Sequence, residues 1–258
     1  MIIIKTEKEI EIIHKGGKLL SKVLKNILSQ MKPGGSTKQL EELACDLIRK
    51  AGGRPSFKGY KSSHDSMPYP TALCVSINDE VVHAPPLPER IFKSGDIVGI
   101  DIGMEYPATN GYYTDMAATA AVGKIDKQAK RLINATKKSL ELAIKKVKPG
   151  ASLYDIGKVV EDYIDLHGFS VVRDLVGHGV GIAVHEDPQI PNYAVAENKN
   201  IILKPGMVIA IEPMVNMGKY HIYTAKDGMT IKTSDKSLSA HFEHTVAVTK
   251  NGHKILTT

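Results

Sequence analysis

The chain has 258 residues, of which 42% are hydrophobic and 24% are charged, and this composition is typical of a soluble globular protein with one large domain or two small ones. Its net charge of +6 comes from dispersed basic residues, which predicts a solvated basic surface and leaves open a weak attraction to nucleic acid such as ribosomal RNA. Two cysteines and the lack of any apolar run near the roughly 18 residues of a membrane span argue against a disulfide scaffold and a transmembrane helix, and predict a cytosolic protein.

The first part of the chain has the pattern of two helices followed by strands. A capping box at 6–9 starts the first helix, and apolar residues continue at close to helical spacing as far as Leu28. The segment MKPGGS at 31–36 breaks this helix, and Ser36 caps a second helix that runs to about Ala51. Strand-like segments rich in Val, Ile and Tyr follow at 72–78, 96–104 and 112–122.

The same order of elements then begins again. Residues 126–147 predict a long helix, which the segment VKPGAS at 147–152 breaks. Ser152 starts another capped helix that runs to about His167. Strand-like segments return near 206–215, 219–224, 229–233 and 243–249.

One further pattern occurs twice. IFKSGDIVGIDIG at 91–103 and IILKPGMVIAIEP at 201–213 each contain a Lys, a turn ending in Gly and an apolar run that ends in Ile and an acid. The acids Asp101 and Glu212 are 212 − 101 = 111 positions apart, and the two helix-breaking segments are offset by 147 − 31 = 116 positions. Such turns also recur by chance, but two pairs in the same order with similar offsets favour duplication.

The duplication predicts a fold class. We expect one α+β catalytic domain over 1–258, with pseudo-two-fold halves at about 1–124 and 125–258 that share one antiparallel sheet. Two repeats of more than 100 residues do not make a solenoid, which needs many short units. If the halves face each other, Asp101 and Glu212 lie at equivalent strand ends and converge on one site.

Four acids interrupt the strand-like segments: Asp101, Asp115, Glu212 and Glu243. Each one alone has three explanations, which are a water-facing sheet edge, a salt bridge or a metal ion, because an unpartnered buried carboxylate is costly. These segments contain no matching Lys or Arg. Four carboxylates at one site would repel one another, so together they favour a divalent metal, and with a nitrogen ligand they could hold two ions.

Histidines supply the candidate nitrogen ligands. His178 stands between two glycines in LVGHGVGIAVHEDPQ, and His185 follows seven residues later. A bend near Gly179 and Gly181 could bring both side chains to one cleft. His83 in NDEVVHAPP is a third candidate. A structural role for each histidine remains the alternative.

With these residues in place, the chain resembles the type I methionine aminopeptidases, which have the pita-bread fold. The resemblance covers nearly the whole chain. Its most specific segments are SINDEVVHAPP, GDIVGIDIG, GHGVGIAVHEDPQI, LKPGMVIAIEPM and KDGMTIKTSDKSLSAHFEHTVAVT. The resemblance implies a central antiparallel sheet that helices cover.

The resemblance also implies a ligand set for two divalent ions, which could be Co, Mn, Fe or Zn. The family's ligands correspond to Asp101, Asp115, His178, Glu212 and Glu243. By this resemblance Asp115 and Glu243 bridge the two ions. Asp101 completes one ion, and His178 and Glu212 complete the other.

The family's two substrate-contacting histidines correspond to His83 and His185, and Glu212 is the expected general base and acid. The expected specificity pocket, which must use Tyr or Phe because Trp is absent, contains Tyr60, Tyr69, Cys74 and Met229, with Phe57 as a further candidate. Three features depart from the family pattern and bear on pocket shape: a short insertion at 61–68, Met229 where many relatives have Trp, and Val184 where many have a larger aromatic residue.

The function that the resemblance implies is removal of the N-terminal methionine from nascent polypeptides whose second residue is small. A cytoplasmic monomer is expected, with no DNA or membrane partner and with a transient ribosome contact left open. The span 243 − 185 = 58 residues leaves no room for the long insertion of type II relatives. The alternatives are a proline-directed peptidase of the same fold and a non-catalytic pita-bread protein that binds nucleic acid or protein.

Overall fold

The computed structural model describes residues 1–62 and 67–258, and the helices in these ranges lie where the sequence predicts them. Thr6, Ser36 and Ser152 each accept a hydrogen bond from the backbone N–H three residues later, and each completes a capping box. The α-helices are α1 (Glu7–Ser29), α2 (Thr37–Lys50), α3 (Lys127–Lys146) and α4 (Leu153–Leu166). Within the described ranges, no helix is both long and apolar enough to cross a membrane.

The strands of the first half are β1 (Arg54–Pro55), β2 (Leu73–Ile77), β3 (Glu80–Val82), β4 (Ile97–Tyr106) and β5 (Tyr112–Ala121). Those that follow α4 are β6 (Ser170–Val171), β7 (Gly177–Gly179), β8 (Glu186–Ile190), β9 (Val208–Ile211), β10 (Met214–Asn216), β11 (Ile222–Thr224), β12 (Ile231–Thr233), β13 (Ser239–His241), β14 (His244–Thr249) and β15 (Gly252–Ile255). A short 3₁₀ helix at Ala196–Asn200 precedes β9. All the strand pairs are antiparallel.

Each pair of helices covers its own part of the β structure. In the first half, the apolar faces of α1 and α2 pack on β2, β4 and β5 around residues such as Leu24, Ile48 and Ile100. In the second half, α3 and α4 pack on β9, β10 and β14 around residues such as Leu132 and Ile209. The predicted division into halves at 1–124 and 125–258 stays a prediction, because one core cluster also includes Ile97 and another joins Ile13 to Val180 and Val208.

Within residues 1–62 and 67–258, the hydrogen-bonded strands form four sheets, with the orders β1-β4-β2 (with β5 also paired to β4), β13-β10-β6, β11-β12-β3 and β15-β14-β9-β7-β8. The two halves meet where β5 approaches β13 and β14. There Thr245 Oγ1 accepts from the Asp115 N–H (3.0 Å) and donates to the Asp115 carbonyl (2.8 Å). Thr119 makes the same two-way contact with the backbone of His241. The two threonine hydroxyls therefore satisfy the backbone N–H and C=O groups of Asp115 and His241, which would otherwise lack partners. We call this junction of β5 with β13 and β14 the seam.

The segment predicted as one strand at 206–215 is two strands, β9 and β10, which are separated by Glu212 and Pro213. β9 pairs with β14, whereas β10 pairs with β13. The chain changes ladders at Pro213, which has no N–H to donate to a continuing strand. The interruption leaves Glu212 at a strand end instead of inside a ladder.

Candidate metal centre

Two of the predicted acids lie on neighbouring strands of the first half. Asp101 on β4 is opposite Ala117, and Asp115 on β5 is opposite Gly103. Because side chains alternate along a strand, this diagonal register places both carboxylates on one face of the β4–β5 pair. A Cβ built at Gly103 would lie 2.7 Å from the Phe57 ring, so this ring lies on the same face.

The second half contributes three more groups. His178 on β7 is opposite Ala210 on β9, and Glu212 is the residue directly after the end of β9. Glu243 lies between β13 and β14, and its N–H donates to the Ala117 carbonyl on β5 (2.9 Å). The last bond holds Glu243 against the strand that carries Asp115, so the seam between the halves brings the two sets of acids together.

The tautomer of His178 follows from its hydrogen bond. His178 Nδ1 lies 2.8 Å from the Gly179 carbonyl oxygen, which only accepts, so Nδ1 carries the proton of a neutral ring. Nε2 then presents a lone pair, and it lies 3.4 Å from Glu212 Oε1. Two acceptor atoms face each other unless a proton or a cation lies between them. This arrangement is typical of a metal-binding imidazole.

Ligand atoms of Asp115, His178 and Glu243 all lie within 4.8 Å of one another, and all three residues are buried. Among the described residues, Asp101 Oδ1, Asp115 Oδ1 and Glu243 Oε1 are buried oxygens without a hydrogen-bond partner. Buried polar atoms are normally satisfied. Unpartnered carboxylate oxygens around one imidazole nitrogen therefore fit a divalent cation, which supplies the missing positive charge.

The pKa values of these acids also indicate a metal site. Burial raises the pKa of Asp101 to about 6 and that of Glu212 to about 8. Burial, and then repulsion from neighbouring carboxylates, raises the pKa of Asp115 and Glu243 well above the ordinary values. Burial lowers the pKa of His178 to about 3. Without a cation, burial and mutual repulsion disfavour the charged forms of all five groups, so the groups have the electrostatics of a metal site.

Of the two predicted substrate histidines, His185 lies against this cluster, and His83 lies near Cys74, which is opposite Asp101. The ring of His185 lies 4.4 Å from the ring of His178, and its Nδ1 lies 2.7 Å from the Tyr60 hydroxyl. His83 follows β3 directly, is exposed, and has a φ of 57°. A positive φ is uncommon outside glycine and marks a position that the surrounding structure fixes.

Comparison with known proteins identifies the family. Residues 11–250 match the family model of metallopeptidase family M24. Methionine aminopeptidase 1 of Bacillus subtilis is 45% identical to the chain over 257 residues, which cover 100% of this chain and 99% of the relative. The chain belongs to the methionine aminopeptidases of metallopeptidase family M24. The methionine aminopeptidase of Escherichia coli is 42% identical over 257 residues, with 99% of this chain and 94% of the relative covered.

Solved structures agree with this family assignment. The crystal structure of methionine aminopeptidase from Thermotoga maritima has a TM-score of 0.94 at 43% identity, and 100% of both chains is covered. The prolidase from Pyrococcus horikoshii has a TM-score of 0.75 at 24% identity, and the match covers 100% of this chain and 64% of the prolidase. The second likeness shows the fold alone. The predicted pita-bread fold and the resemblance to methionine aminopeptidases are both confirmed.

In this M24 chain, Cys74 and Tyr69 of the predicted pocket lie together beside Asp101. Cys74 on β2 is buried opposite Asp101, and burial raises the pKa of its thiol well above the usual value, so it is a neutral, soft side chain. Tyr69 donates to the Leu73 carbonyl (3.0 Å), and its N–H donates to the Tyr60 carbonyl (2.8 Å). These contacts place the two tyrosines side by side.

Met229 lies on the turn between β11 and β12 and is half-buried. Ile231, two residues later, pairs with Val82, the neighbour of His83. This pairing connects the Met229 turn to the His83 segment. Val184 is buried beside His185. Part of the predicted insertion at 61–68 lies outside the described residues.

Sequence reasoning missed one residue of the M24 site. His241 on β13 is 3% exposed, and its Nε2 lies 3.6 Å from Glu212 Oε2. Nε2 has no hydrogen-bond partner among the described residues. His241 precedes Glu243 by two positions in SAHFEHTVAV, and strand alternation over this pair was a signal that could have found it. Glu212 therefore lies between two imidazoles.

The protein without metal is expected to lose stability as the pH rises from about 6.5 to 8. Glu212 has a folded-state pKa of about 8 against an ordinary 4.5, so in this window the folded state holds a proton that the unfolded chain has released. Raising the pH therefore favours unfolding. The pKa of His178 is lowered to about 3, which makes stability rise with pH, but this effect is confined to pH values below the ordinary pKa of 6.5.

The measurement is the Tm of chelator-treated protein at pH 6.5 and at pH 8, with and without saturating Mn²⁺. Mn²⁺ should remove or reverse the decrease, because metal binding displaces the protons from the carboxyl groups. A Tm of the chelated protein that increases over this range would contradict the electrostatic description of the site.

Proposed function

We propose that this chain removes the N-terminal methionine from polypeptides whose second residue is small, by metal-assisted hydrolysis of the first peptide bond. The observation that carries the proposal is the meeting of Asp115, His178 and Glu243 ligand atoms within 4.8 Å, beside Asp101 and Glu212. The full-length similarity to proteins named methionine aminopeptidase supports this choice of substrate.

The proposed cofactor is a pair of divalent ions, for which Co, Mn, Fe and Zn all suit a donor set of carboxylates and one imidazole. Asp115 and Glu243, which the seam holds together, are the proposed bridging ligands. Asp101 would complete one ion, and His178 with Glu212 would complete the other. Ions bound there would supply Lewis-acid polarisation of the scissile carbonyl and a water of lowered pKa.

Glu212 is the proposed general base and acid. Its carboxylate lies between His178 Nε2 (3.4 Å) and His241 Nε2 (3.6 Å), and burial raises its pKa to about 8. Metal binding would displace the proton of this carboxyl, and the resulting carboxylate can accept a proton from the attacking water and return it to the leaving amine. The two imidazoles limit the directions that the carboxylate can take.

His185 is the proposed donor to the oxygen that becomes negative in the transition state. When the Tyr60 hydroxyl donates to Nδ1, over a distance of 2.7 Å, a neutral ring carries its proton on Nε2, and this N–H is the proposed donor to the substrate. A donor of this kind is worth about 2.7–4 kcal/mol of transition-state stabilisation. His83, whose backbone is held at a positive φ, is proposed to contact the substrate backbone near the scissile bond.

Specificity is proposed to come from a soft, apolar pocket that receives the methionine thioether. The proposed lining is Tyr60, Tyr69, Cys74 and Met229, with Phe57 beside Gly103. A thioether makes favourable contacts with aromatic rings and sulfur. A second substrate residue larger than about Val is expected to clash near His83 and His185.

The proposed setting is the cytoplasm, where nascent chains present their N-termini. We propose a monomer with no DNA or membrane partner. A net charge of +6 supports a transient contact with ribosomal RNA, because a basic surface raises the rate of encounter with nucleic acid.

The test is an assay of Met-Ala-Ser against Ala-Pro peptides, each with and without a chelator. We expect Met-Ala-Ser to lose its methionine, chelation to stop the reaction, and Ala-Pro peptides to remain uncut. A variant with Leu in the second position, Met-Leu-Ser, serves as the matched control and should be a poor substrate. Cleavage of Ala-Pro peptides instead would favour the proline-directed alternative, and no cleavage by metal-loaded protein would favour a binding protein.

A further inference from the structure

A buried ion pair joins the first residues of the chain to the loop that carries His185. Lys5 Nζ contacts Glu186 Oε2, and the two side chains are only 1% and 3% exposed. Lys5 precedes α1, whereas Glu186 is the first residue of β8. Removing both charges from water is expensive, and the attraction between them often does no more than offset that cost. Stability alone therefore does not account for this pair.

Glu186 also binds the turn next to it. Its other carboxylate oxygen, Oε1, accepts from the backbone N–H groups of Ile182 (2.5 Å) and Ala183 (3.0 Å). Ile182 is 44% exposed, whereas Val184 is buried, so these two backbone hydrogen bonds hold the part of the turn that has little apolar packing. One carboxylate thus connects Lys5 to the turn that leads into His185.

The N-terminal arm, residues 1–5, fits closely against the same region. The Lys5 N–H donates to the Gly206 carbonyl (2.8 Å). A Cβ at Gly181, where φ is +135°, would lie 2.9 Å from Lys5 Cε. The Gly181 carbonyl in turn accepts from the Tyr113 N–H on β5 (2.8 Å), two residues before Asp115. The arm, the turn and the strand of the metal site therefore form one connected frame.

We propose that Lys5 and Glu186 are positioning residues that hold His185 in the geometry required for the reaction. This inference rests on the role proposed above for His185. The His185 ring lies 4.4 Å from the His178 ring and 2.7 Å, through Nδ1, from the Tyr60 hydroxyl. A displacement of the turn by about 1 Å would disturb both contacts, and a misplacement of that size costs about 10²-fold in rate.

The first test is a double-mutant cycle between Lys5 and His185. Lys5→Met is expected to lower kcat/KM for Met-Ala-Ser by about tenfold or more, mainly through kcat, because the lost contact acts in the transition state. In the His185→Ala background, the same Lys5→Met change should alter kcat/KM by less than about twofold. An equal loss in both backgrounds would overturn the proposal, since the effect would then not pass through His185.

The matched control is Lys250→Met. It breaks an exposed ion pair with Glu7, in which the side chains are 80% and 82% exposed, and this pair also joins the N-terminal part of the chain to a distant segment. We expect unchanged kinetics. If Lys5→Met does not fold, Lys5→Met combined with Glu186→Gln removes both charges and retains an oxygen for the turn. The same cycle with His185→Ala then decides the question.

Hydrogen exchange gives a readout that is independent of turnover. In Glu186→Ala, the amides of Ile182 and Ala183 should exchange faster than in the unmodified protein, whereas those of β9 should not change. Unchanged exchange at the turn would overturn the proposal. Full activity of His185→Ala would refute the proposed role of His185. If His185→Ala loses most of its activity but Lys5→Met has the same effect with and without His185, only the positioning role is refuted.

Discussion

Glu212→Gln is expected to lower turnover by about 10²–10⁴-fold, the usual contribution of general acid–base catalysis, while the fold remains intact. Gln has the shape of Glu but does not accept a proton from water at neutral pH. The surroundings of Glu212 tolerate a neutral side chain, because burial already raises the pKa of its carboxyl to about 8. His178 Nε2 and His241 Nε2 remain as neighbours of the new amide.

The measurement is kcat with Met-Ala-Ser, divided by the measured metal content so that loss of an ion is not mistaken for loss of the proton acceptor. Glu105→Gln is the matched control. Glu105 is also a buried acid, on β4, but it accepts from Arg54 and from the Gly111 N–H (3.0 Å). This control should lower the Tm and leave kcat unchanged. Near-normal turnover of metal-loaded Glu212→Gln would refute the proton-transfer role.

Asp115→Asn is expected to abolish detectable activity and, at the same time, to stabilise the metal-free protein. Asp115 is one of the two proposed bridging ligands, and changes to residues that merely support metal ligands already cost about 10–100-fold in affinity or activity. Burial, followed by repulsion from Asp101, raises the pKa of the Asp115 carboxyl. A neutral amide of the same shape removes this unfavourable contribution.

The backbone contacts between Asp115 and Thr245 do not involve the carboxylate and should persist in the variant. We expect the Tm of the chelated variant at pH 7.5 to rise by a few degrees, since about 1 kcal/mol shifts the Tm of a chain of this size by roughly 2–4 °C. Metal content and activity should both fall. These opposite changes in stability and activity are the signature of a site whose acids require a cation.

Asp96→Asn provides the matched control for stability. Asp96 accepts from the Lys93 N–H (2.8 Å) and from Asn78 Nδ2 (2.9 Å), so an amide there loses an acceptor and should destabilise the protein without affecting metal content. A chelated Asp115→Asn protein that is less stable than the unmodified one would contradict the electrostatic argument. Retention of both ions would contradict the bridging role.

Much of the fold could be predicted from the sequence because local rules determine it. The capping boxes at Thr6, Ser36 and Ser152 and the apolar periodicity after them predict three of the four helix starts, and the structure has each one there. These signals depend on neighbouring residues only, so no tertiary contact is needed to read them. The prediction of equivalent strand ends for Asp101 and Glu212 is wrong for Asp101, which lies inside β4, whereas Glu212 follows the end of β9.

The seam between the halves could not be predicted in this way. Thr119 and Thr245 have no motif that marks them, yet their hydroxyls connect β5 to β13 and β14 over 122 and 130 positions of the chain. Pro213 marks a break in the predicted strand at 206–215, but the segment does not show that β9 and β10 pair with different strands. Pairing partners depend on contacts between distant segments, which periodicity does not encode.

The sequence alone determined the family resemblance over nearly the whole chain and the candidate residues for the chemistry, which are four acids in strand segments and histidines beside glycines. The tertiary structure alone decided that Asp115, His178 and Glu243 meet within 4.8 Å, that His241 adjoins Glu212, and that Lys5 reaches Glu186. The physical reason is that residue type and local spacing fix helices, strands and candidate donors. Distances between donors depend on how the two halves pack, and the free energy of that packing is distributed over contacts between segments far apart in the chain.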